Sequence, residues 1–271
     1  MQLLGIDFTS RPTRRKPITV ALGQCDGAVL TLTAIQRLPD FTAFEALLAQ
    51  AGPWLAACDF PFSLPRALVA HQGWPTDWPG LMDHLAKLDR AGLRDICKAY
   101  CDARPAGRKF AHRATDLQAR SSPSMKWVNP PVLYMLHEGA VRLRQSGITI
   151  AGLYAGDPAR IALEGYPALA ARTIIGNASY KSDSKQKQTA ERRARRLDIV
   201  QALQQGHPSL GLRLTSADPD LLTALVEDPT ADLLDAVLCL LQAAWASQQA
   251  HYGLPADMDV LEGWIISAAP D

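Results

Sequence analysis

Two short apolar segments that each end in an aspartate constrain the fold of this chain more than any other feature. Residues 3–6 lead into Asp7, and residues 54–58 lead into Asp59. Apolar runs of this length predict strands, and the second is expected to be buried on both faces of a sheet. Ligands of α/β sheets bind outside the carboxyl ends of the strands, so both aspartates are expected at that rim. The alternative is that each aspartate caps the turn or helix that follows it.

The rest of the pattern predicts a mixed α/β fold. Two further strands, at 18–22 and 29–35, are expected to form a hairpin across the turn signal Asp26-Gly27. Later strands are predicted at 160–166 and 260–266, and helices at 41–50, 131–145, 167–174, 189–203, 219–226 and 232–249. Strands that are joined through helices imply a mixed sheet covered by helices on both faces.

The chain is expected to form a single domain over residues 1–271, with residues 72–130 as a mostly helical insertion or lid. This region is rich in Trp, Pro, Arg and Asp, unlike the apolar segments around it. A chain of 271 residues that is 48% hydrophobic can bury one large core, which fits a single domain.

The sequence favours a soluble protein of the cytoplasm. Its five cysteines are irregularly spaced, and Cys58 and Cys239 lie in apolar runs, which is typical of reduced core thiols. No segment reaches the roughly 18 apolar residues of a membrane span. The first residues also lack the basic region of a signal peptide. We therefore expect no membrane as a partner.

Glu164, Asp232 and Asp235 are further acidic candidates. Glu164 follows the apolar residues 161–163, and its alternative role is to cap a helix that starts at Pro167. Asp232 and Asp235 are three residues apart and share one face of a predicted apolar helix. The helix dipole accounts for Asp232 in the first turn. Asp235 lies deeper and needs a partner or a metal ion, because burying an isolated charge is costly.

Four carboxylates, those of Asp7, Asp59, Glu164 and Asp235, are therefore the predicted catalytic and metal-binding groups. Carboxylate oxygens are hard ligands that suit Mg²⁺ or Mn²⁺. Two such ions about 3.5–4 Å apart can activate a water molecule and stabilise the leaving oxygen of a phosphodiester. The ions would also be needed to keep clustered carboxylates ionised together.

Six short motifs occur in an order that resembles a known family. They are LGID (4–7), DFPFSLP (59–65), EGYP (164–167), YKS (180–182), DLLDA (232–236) and EGWI (262–265). Together they resemble the predicted nucleases of the domain-of-unknown-function family numbered 429, in the ribonuclease-H-like superfamily. The resemblance implies a five-stranded ribonuclease-H-like sheet and metal-dependent cleavage of nucleic acid, with Asp7, Asp59, Glu164 and Asp235 as its acids. The family often has His where this chain has Tyr166.

Basic residues crowd into the segment that begins at the YKS motif. The chain has a net charge of only +1, so any signal for nucleic acid must be local. Seven Lys and Arg residues lie within 181–196, and Arg192, Arg195 and Arg196 fall on one side of a predicted helix, where they could hold phosphates. The alternative is a solvated helix face beside a flexible loop. The predicted substrate contacts are Ser10, Lys181, Lys185 and Arg192.

The leading functional hypothesis is a metal-dependent nuclease that hydrolyses phosphodiester bonds of DNA or RNA by a two-metal mechanism. The first alternative is a phosphotransferase or ATPase of the actin-like superfamily. The turns after Asp7 and Asp59 lack the glycines that phosphate-binding turns of that kind need, which ranks this alternative lower. The second alternative is a non-catalytic nucleic-acid-binding module that retains the fold.

Overall fold

A seven-stranded mixed sheet forms the centre of the computed structural model, which describes residues 1–269. The strands lie in the order β5-β6-β4-β1-β2-β3-β7. Strands β5, β6, β4 and β1 run parallel to one another, β2 is antiparallel to β1 and β3, and β7 is parallel to β3. Their bounds are β1 (Gln2–Asp7), β2 (Ile18–Asp26), β3 (Val29–Leu38), β4 (Trp54–Cys58), β5 (Ile148–Ile150), β6 (Asp157–Glu164) and β7 (Arg213–Ser216).

Helices cover both faces of this sheet. They are α1 (Phe41–Leu48), α2 (Arg66–Gln72), α3 (Trp78–Leu85), α4 (Arg90–Asp102), α5 (Ala114–Gln118), α6 (Val132–Gln145), α7 (Pro167–Ile175), α8 (Ala190–Gln205), α9 (Pro219–Glu227) and α10 (Asp232–Ala246). Side chains of a strand alternate between the faces, so Leu4 and Ile6 join a core with α1–α4 and α6, while Leu3 joins a core with α7–α10. The mixed α/β architecture predicted from the sequence is confirmed.

Helix α10 lies directly against the backbone of β1. A Cβ atom on Gly5 would come within 2.0 Å of the carbonyl oxygen of Ala236 and 2.1 Å of the amide nitrogen of Leu240. No other residue type fits here without displacing the helix, because both close atoms belong to the backbone. This contact fixes the start of α10, including Asp235, relative to the carboxyl end of β1.

The strand predictions were incomplete at the edges of the sheet and wrong at the C-terminal end. The sheet has seven strands, whereas the resemblance implied five. The strands β5 and β7 were missed because they are edge strands of three and four residues, too short to show an alternating pattern. Residues 260–266 were predicted as a strand but form turns, with a single bridge from Ile265 to Glu164. The Asp259 carboxylate starts these turns by accepting hydrogen bonds from the backbone of Leu261 at 2.7 Å and Glu262 at 3.3 Å.

Residues 72–130 contain α3, α4 and α5 and no strand within the described chain. Their buried side chains, such as Trp78 and Leu93, belong to the same core as β1 and β4. The indole N–H of Trp78 donates to the carbonyl of Phe62 at 2.8 Å, which ties α3 to the segment after β4. Across residues 1–269, the helices are all too short or too polar to traverse a lipid bilayer.

Candidate functional site

Three aspartates, Asp7, Asp59 and Asp235, lie at the carboxyl ends of the neighbouring parallel strands β1 and β4. Asp7 is the last residue of β1. Asp59 directly follows β4, and its backbone N–H donates to the carbonyl of Ile6 at 2.8 Å. Asp235 lies in the first turn of α10, the helix that packs against β1. We call these three residues the aspartate cluster.

The acids of the aspartate cluster act strongly on one another. The pKa of Asp7 is raised well above its ordinary value, first by desolvation and then by the charge of Asp235, with Asp59 also contributing. Desolvation also raises the pKa of Asp59 to about 7, and the charge of Asp235 adds to that effect. Carboxylates perturb one another in this way only at short range, so the structure brings the three predicted aspartates together.

Asp7 and Asp59 are the two aspartates of the cluster whose carboxylates are accessible from the cleft. Both are partly exposed and line a cleft of about 550 Å³. Within residues 1–269, no group donates a hydrogen bond to either carboxylate. Two desolvated carboxylates without donors are costly to keep ionised together, and a cation in the cleft would remove that cost. The chemistry of the pair therefore fits a hard divalent cation.

Asp235 is the aspartate of the cluster whose carboxylate is buried and bound by other side chains. It is fully buried, and the hydroxyl of Tyr180 donates to its Oδ1 atom at 2.6 Å. Its Oδ2 atom accepts from the ammonium group of Lys181, which forms an ion pair with it. Burial lowers the pKa of Lys181, because it disfavours the charged form. The negative charges of Asp235, Asp59 and Asp7 outweigh this effect, so the pKa of Lys181 is raised well above its ordinary value. The side chain of Lys181 remains 43% exposed and lines the cleft.

The segment that carries Tyr180 and Lys181 is held in place by Arg196. This arginine, on α8, is only 3% exposed. Its Nη1 donates to the carbonyl of Tyr180 at 2.8 Å and its Nε to the carbonyl of Val226 at 2.8 Å. The sequence placed Arg196 among possible phosphate contacts, and this is wrong, because both groups are directed inward to backbone oxygens.

Glu164 lies beside the aspartate cluster but belongs to a separate ion-pair network. It ends β6, where it pairs with Cys58, the residue before Asp59. Its carboxylate is bound on both oxygens by the buried Arg113, at 2.6 and 2.7 Å, and also accepts from the backbone N–H of Phe62 at 2.9 Å. Arg113 in turn pairs with the buried Asp116 at 2.8 Å. The structure thus binds Glu164 to a partner that the sequence did not indicate, although its charge still contributes to the raised pKa of Asp59.

The four predicted substrate contacts divide into two groups. Ser10 and Lys181 line the cleft, and the carbonyl of Ser10 is fixed by Arg90 on α4 at 2.8 Å. Lys185 lies outside the cleft, on an exposed 3-10 turn. Arg192 also lies outside it, where its guanidinium donates to the carbonyl of Lys187.

The four predicted acids do not form a ready-made metal site. Within residues 1–269, no three His, Cys, Asp or Glu side chains are placed so that they could hold one metal ion together. Asp235 is already bound by Lys181, and Glu164 by Arg113. Of the four predicted acids, only Asp7 and Asp59 present carboxylate oxygens to the cleft that are unbound within residues 1–269. A four-carboxylate metal centre therefore stays a prediction.

Three residues at or beside the site were not assigned to it from the sequence. Asp232 also lines the cleft, but its place in the first turn of α10 offered the helix dipole as a sufficient explanation. Tyr180 donates to Asp235, and its only signal was its position next to Lys181 in the YKS motif. Arg113, which engages Glu164, stands in a polar stretch that carries no local signal at all.

The family of the chain follows from comparison with known proteins. A family model described as a protein of unknown function (DUF429) matches residues 5–259, most of the sequence. The chain therefore belongs to this family, which confirms the resemblance at that level. Comparison with curated proteins and with solved structures gives no match.

Proposed function

We propose that this member of the DUF429 family is a divalent-metal-dependent nuclease with a ribonuclease-H-like fold. The observation that carries the proposal is the pair Asp7 and Asp59, two desolvated carboxylates without hydrogen-bond donors at the carboxyl ends of adjacent parallel strands. They face a cleft large enough to admit a phosphodiester segment. Sites of this kind lie where α/β sheets bind their ligands.

The sheet supports the fold part of this proposal. When the two short edge strands are set aside, five strands remain in the order β3-β2-β1-β4-β6. The whole sheet has seven strands, two more than the resemblance implies. The acids lie on β1 and directly after β4, at the middle of the five.

The proposed chemistry is hydrolysis of a phosphodiester bond. A bound Mg²⁺ or Mn²⁺ would supply Lewis-acid stabilisation of the phosphate and a water molecule of lowered pKa. Asp7 and Asp59 would hold the ion, because their oxygens are the ones free of other partners. The exposed face of Lys181 would contact the phosphate, and Ser10 would border the bound strand.

Cleavage assays with single-stranded and duplex DNA and RNA test the proposal. We expect cleavage that needs Mg²⁺ or Mn²⁺ and that stops in EDTA. Asp7→Asn and Asp59→Asn should each lower the cleavage rate by more than about 100-fold. Even the loss of a group that only hydrogen-bonds to a metal ligand costs about 10–100-fold in metal affinity or activity. Asp26→Asn is the matched control, because Asp26 is exposed at the opposite end of the sheet, in a turn that asparagine also favours.

The same assays separate the alternatives. ATP turnover without cleavage would favour an actin-like phosphotransferase or ATPase. Salt-sensitive binding of nucleic acid that needs no metal ion and survives Asp7→Asn would favour a non-catalytic binding module. Equal cleavage by wild type and Asp7→Asn would overturn the nuclease proposal.

A further inference from the structure

A lysine lies within the aspartate cluster itself. The ammonium group of Lys181 binds Asp235 and acts electrostatically on Asp59 and Asp7 as well. The positive charge of Lys181 therefore lies among three acids and is not an isolated surface charge. As a result, Asp235 has a counterion before any metal ion binds.

The burial of Asp235 and the bonds it already makes leave it a poor ligand for a metal ion. None of its surface is exposed, and each of its oxygens already has a partner, Tyr180 on one side and Lys181 on the other. A divalent ion that used Asp235 would have to displace the ammonium group of Lys181. Within residues 1–269, no group forms a hydrogen bond or an ion pair with the carboxylate of Asp7 or Asp59, and Lys181 acts on both only through its charge.

The position of Lys181 is fixed by its neighbours in the chain. Tyr180, before it, is buried and its carbonyl is bound by Arg196. Ser182, after it, donates its backbone N–H to the carbonyl of Pro229 at 3.2 Å, just before α10. Both peptide groups that flank Lys181 are therefore anchored, which fixes the point from which its side chain reaches Asp235.

The charges of the aspartate cluster agree with this geometry. Its three acids carry three negative charges when all are ionised, and one divalent ion together with the ammonium group of Lys181 matches them. Asp232 also lines the cleft and adds a negative charge, which Lys16 offsets in part. The ammonium group of Lys16 is itself bound to Asp183.

We infer that Lys181 takes the place of a second divalent ion, so that the centre binds one Mg²⁺ or Mn²⁺ on Asp7 and Asp59. This inference rests on the proposed function and narrows it, because the two-metal centre predicted from the sequence used Asp235 as a ligand. Lys181 then acts as a positioning residue for Asp235 and as the second positive charge beside the phosphate.

The number of Mn²⁺ ions bound per chain tests the inference without any substrate. Titration of the full-length protein, followed by calorimetry and by electron paramagnetic resonance of free Mn²⁺, should give one ion for wild type. Lys181→Met frees Asp235 and should bind two. Lys185→Met, in the same segment but outside the cleft, is the control and should bind one. Lys181→Gln, which keeps a polar contact to Asp235, serves if the methionine variant does not fold.

Asp235→Asn gives an independent measurement. It should keep one ion with an affinity within about tenfold of wild type, whereas Asp7→Asn should lose the ion. Two ions in wild type, or one ion in both folded Lys181 variants, would overturn the inference and leave the nuclease proposal standing. One ion bound as inferred, but no cleavage of any substrate, would overturn the proposed function instead. No Mn²⁺ in any variant would overturn both.

Discussion

Ionisation of Asp59 is expected to make the metal-free protein less stable as the pH rises. Desolvation, which Asp235 reinforces and Lys181 opposes, raises the pKa of this carboxyl group to about 7 in the folded chain, against an ordinary value of 3.8. Between these two values the unfolded chain carries an ionised Asp59 and the folded chain a protonated one. The folded state therefore binds more protons, and the free energy of unfolding falls as the pH rises through this window.

The size of the effect follows from the same two values. One pKa unit corresponds to about 1.4 kcal/mol, so the full difference amounts to about 4 kcal/mol of unfolding free energy lost by pH 8. Asp59 is partly exposed to the cleft, and solvent there reduces the loss of unfolding free energy. We therefore expect a loss of about 2–4 kcal/mol between pH 4 and pH 8. Asp59→Asn has no proton to release. It should be more stable than wild type by this amount at pH 8 and nearly equal to it near pH 4.

Urea unfolding in EDTA, followed by tryptophan fluorescence at pH values from 4 to 8.5, measures this effect. Asp26→Asn should follow the wild-type curve, because the exposed Asp26 lies far from the aspartate cluster. Saturating Mg²⁺ should restore the stability of wild type at pH 8 and leave Asp59→Asn almost unchanged. Parallel curves of stability against pH for wild type and Asp59→Asn would refute the reasoning.

Three other substitutions test the surroundings of the site by chemical denaturation. Gly5→Ala should cost about 3 kcal/mol or more, since its Cβ would collide with the backbone of α10; a stable variant would show that the helix yields easily. Arg113→Met should cost about 3–5 kcal/mol by leaving Glu164 buried without a counterion, and the double variant with Glu164→Gln should recover part of the loss. Arg196→Met should cost about 2–4 kcal/mol through two unbound carbonyls, while Arg192→Met should change the stability by less than about 0.5 kcal/mol. Equal stabilities of the two arginine variants would contradict the assigned role of Arg196.

The part of the site that lies on strands was predictable from the sequence. An apolar run that ends in an acid identifies both the strand and the rim at which the acid lies, and this located Asp7 and Asp59 correctly. Asp235 was distinguished from Asp232 by its depth in an apolar helix, and the structure agrees that it is buried with specific partners. Local periodicity carries this information because burial on a strand or helix repeats with the geometry of that element.

The partners of these acids were not predictable, because they come from distant parts of the chain. Arg113 is 51 residues from Glu164, and no spacing rule joins an arginine in a polar stretch to the end of a strand. Arg196 repeats the spacing of its exposed neighbours on α8, so only the packing of α8 against α9 reveals that it is buried. The turns at 260–266 depend on hydrogen bonds of the Asp259 side chain, which outweighed an apolar composition typical of strands.

The contact between Gly5 and α10 has a consequence for how the cleft can change. The backbones of β1 and α10 are in direct contact there, with no side chain between them. The distance between Asp7 and Asp235 therefore cannot shorten by rearrangement of side chains. We expect the distance between Asp7 and Asp235 to change little when the cleft changes shape. We therefore expect the cleft to change shape mainly through the loops that border its opening, such as the loop at 8–17.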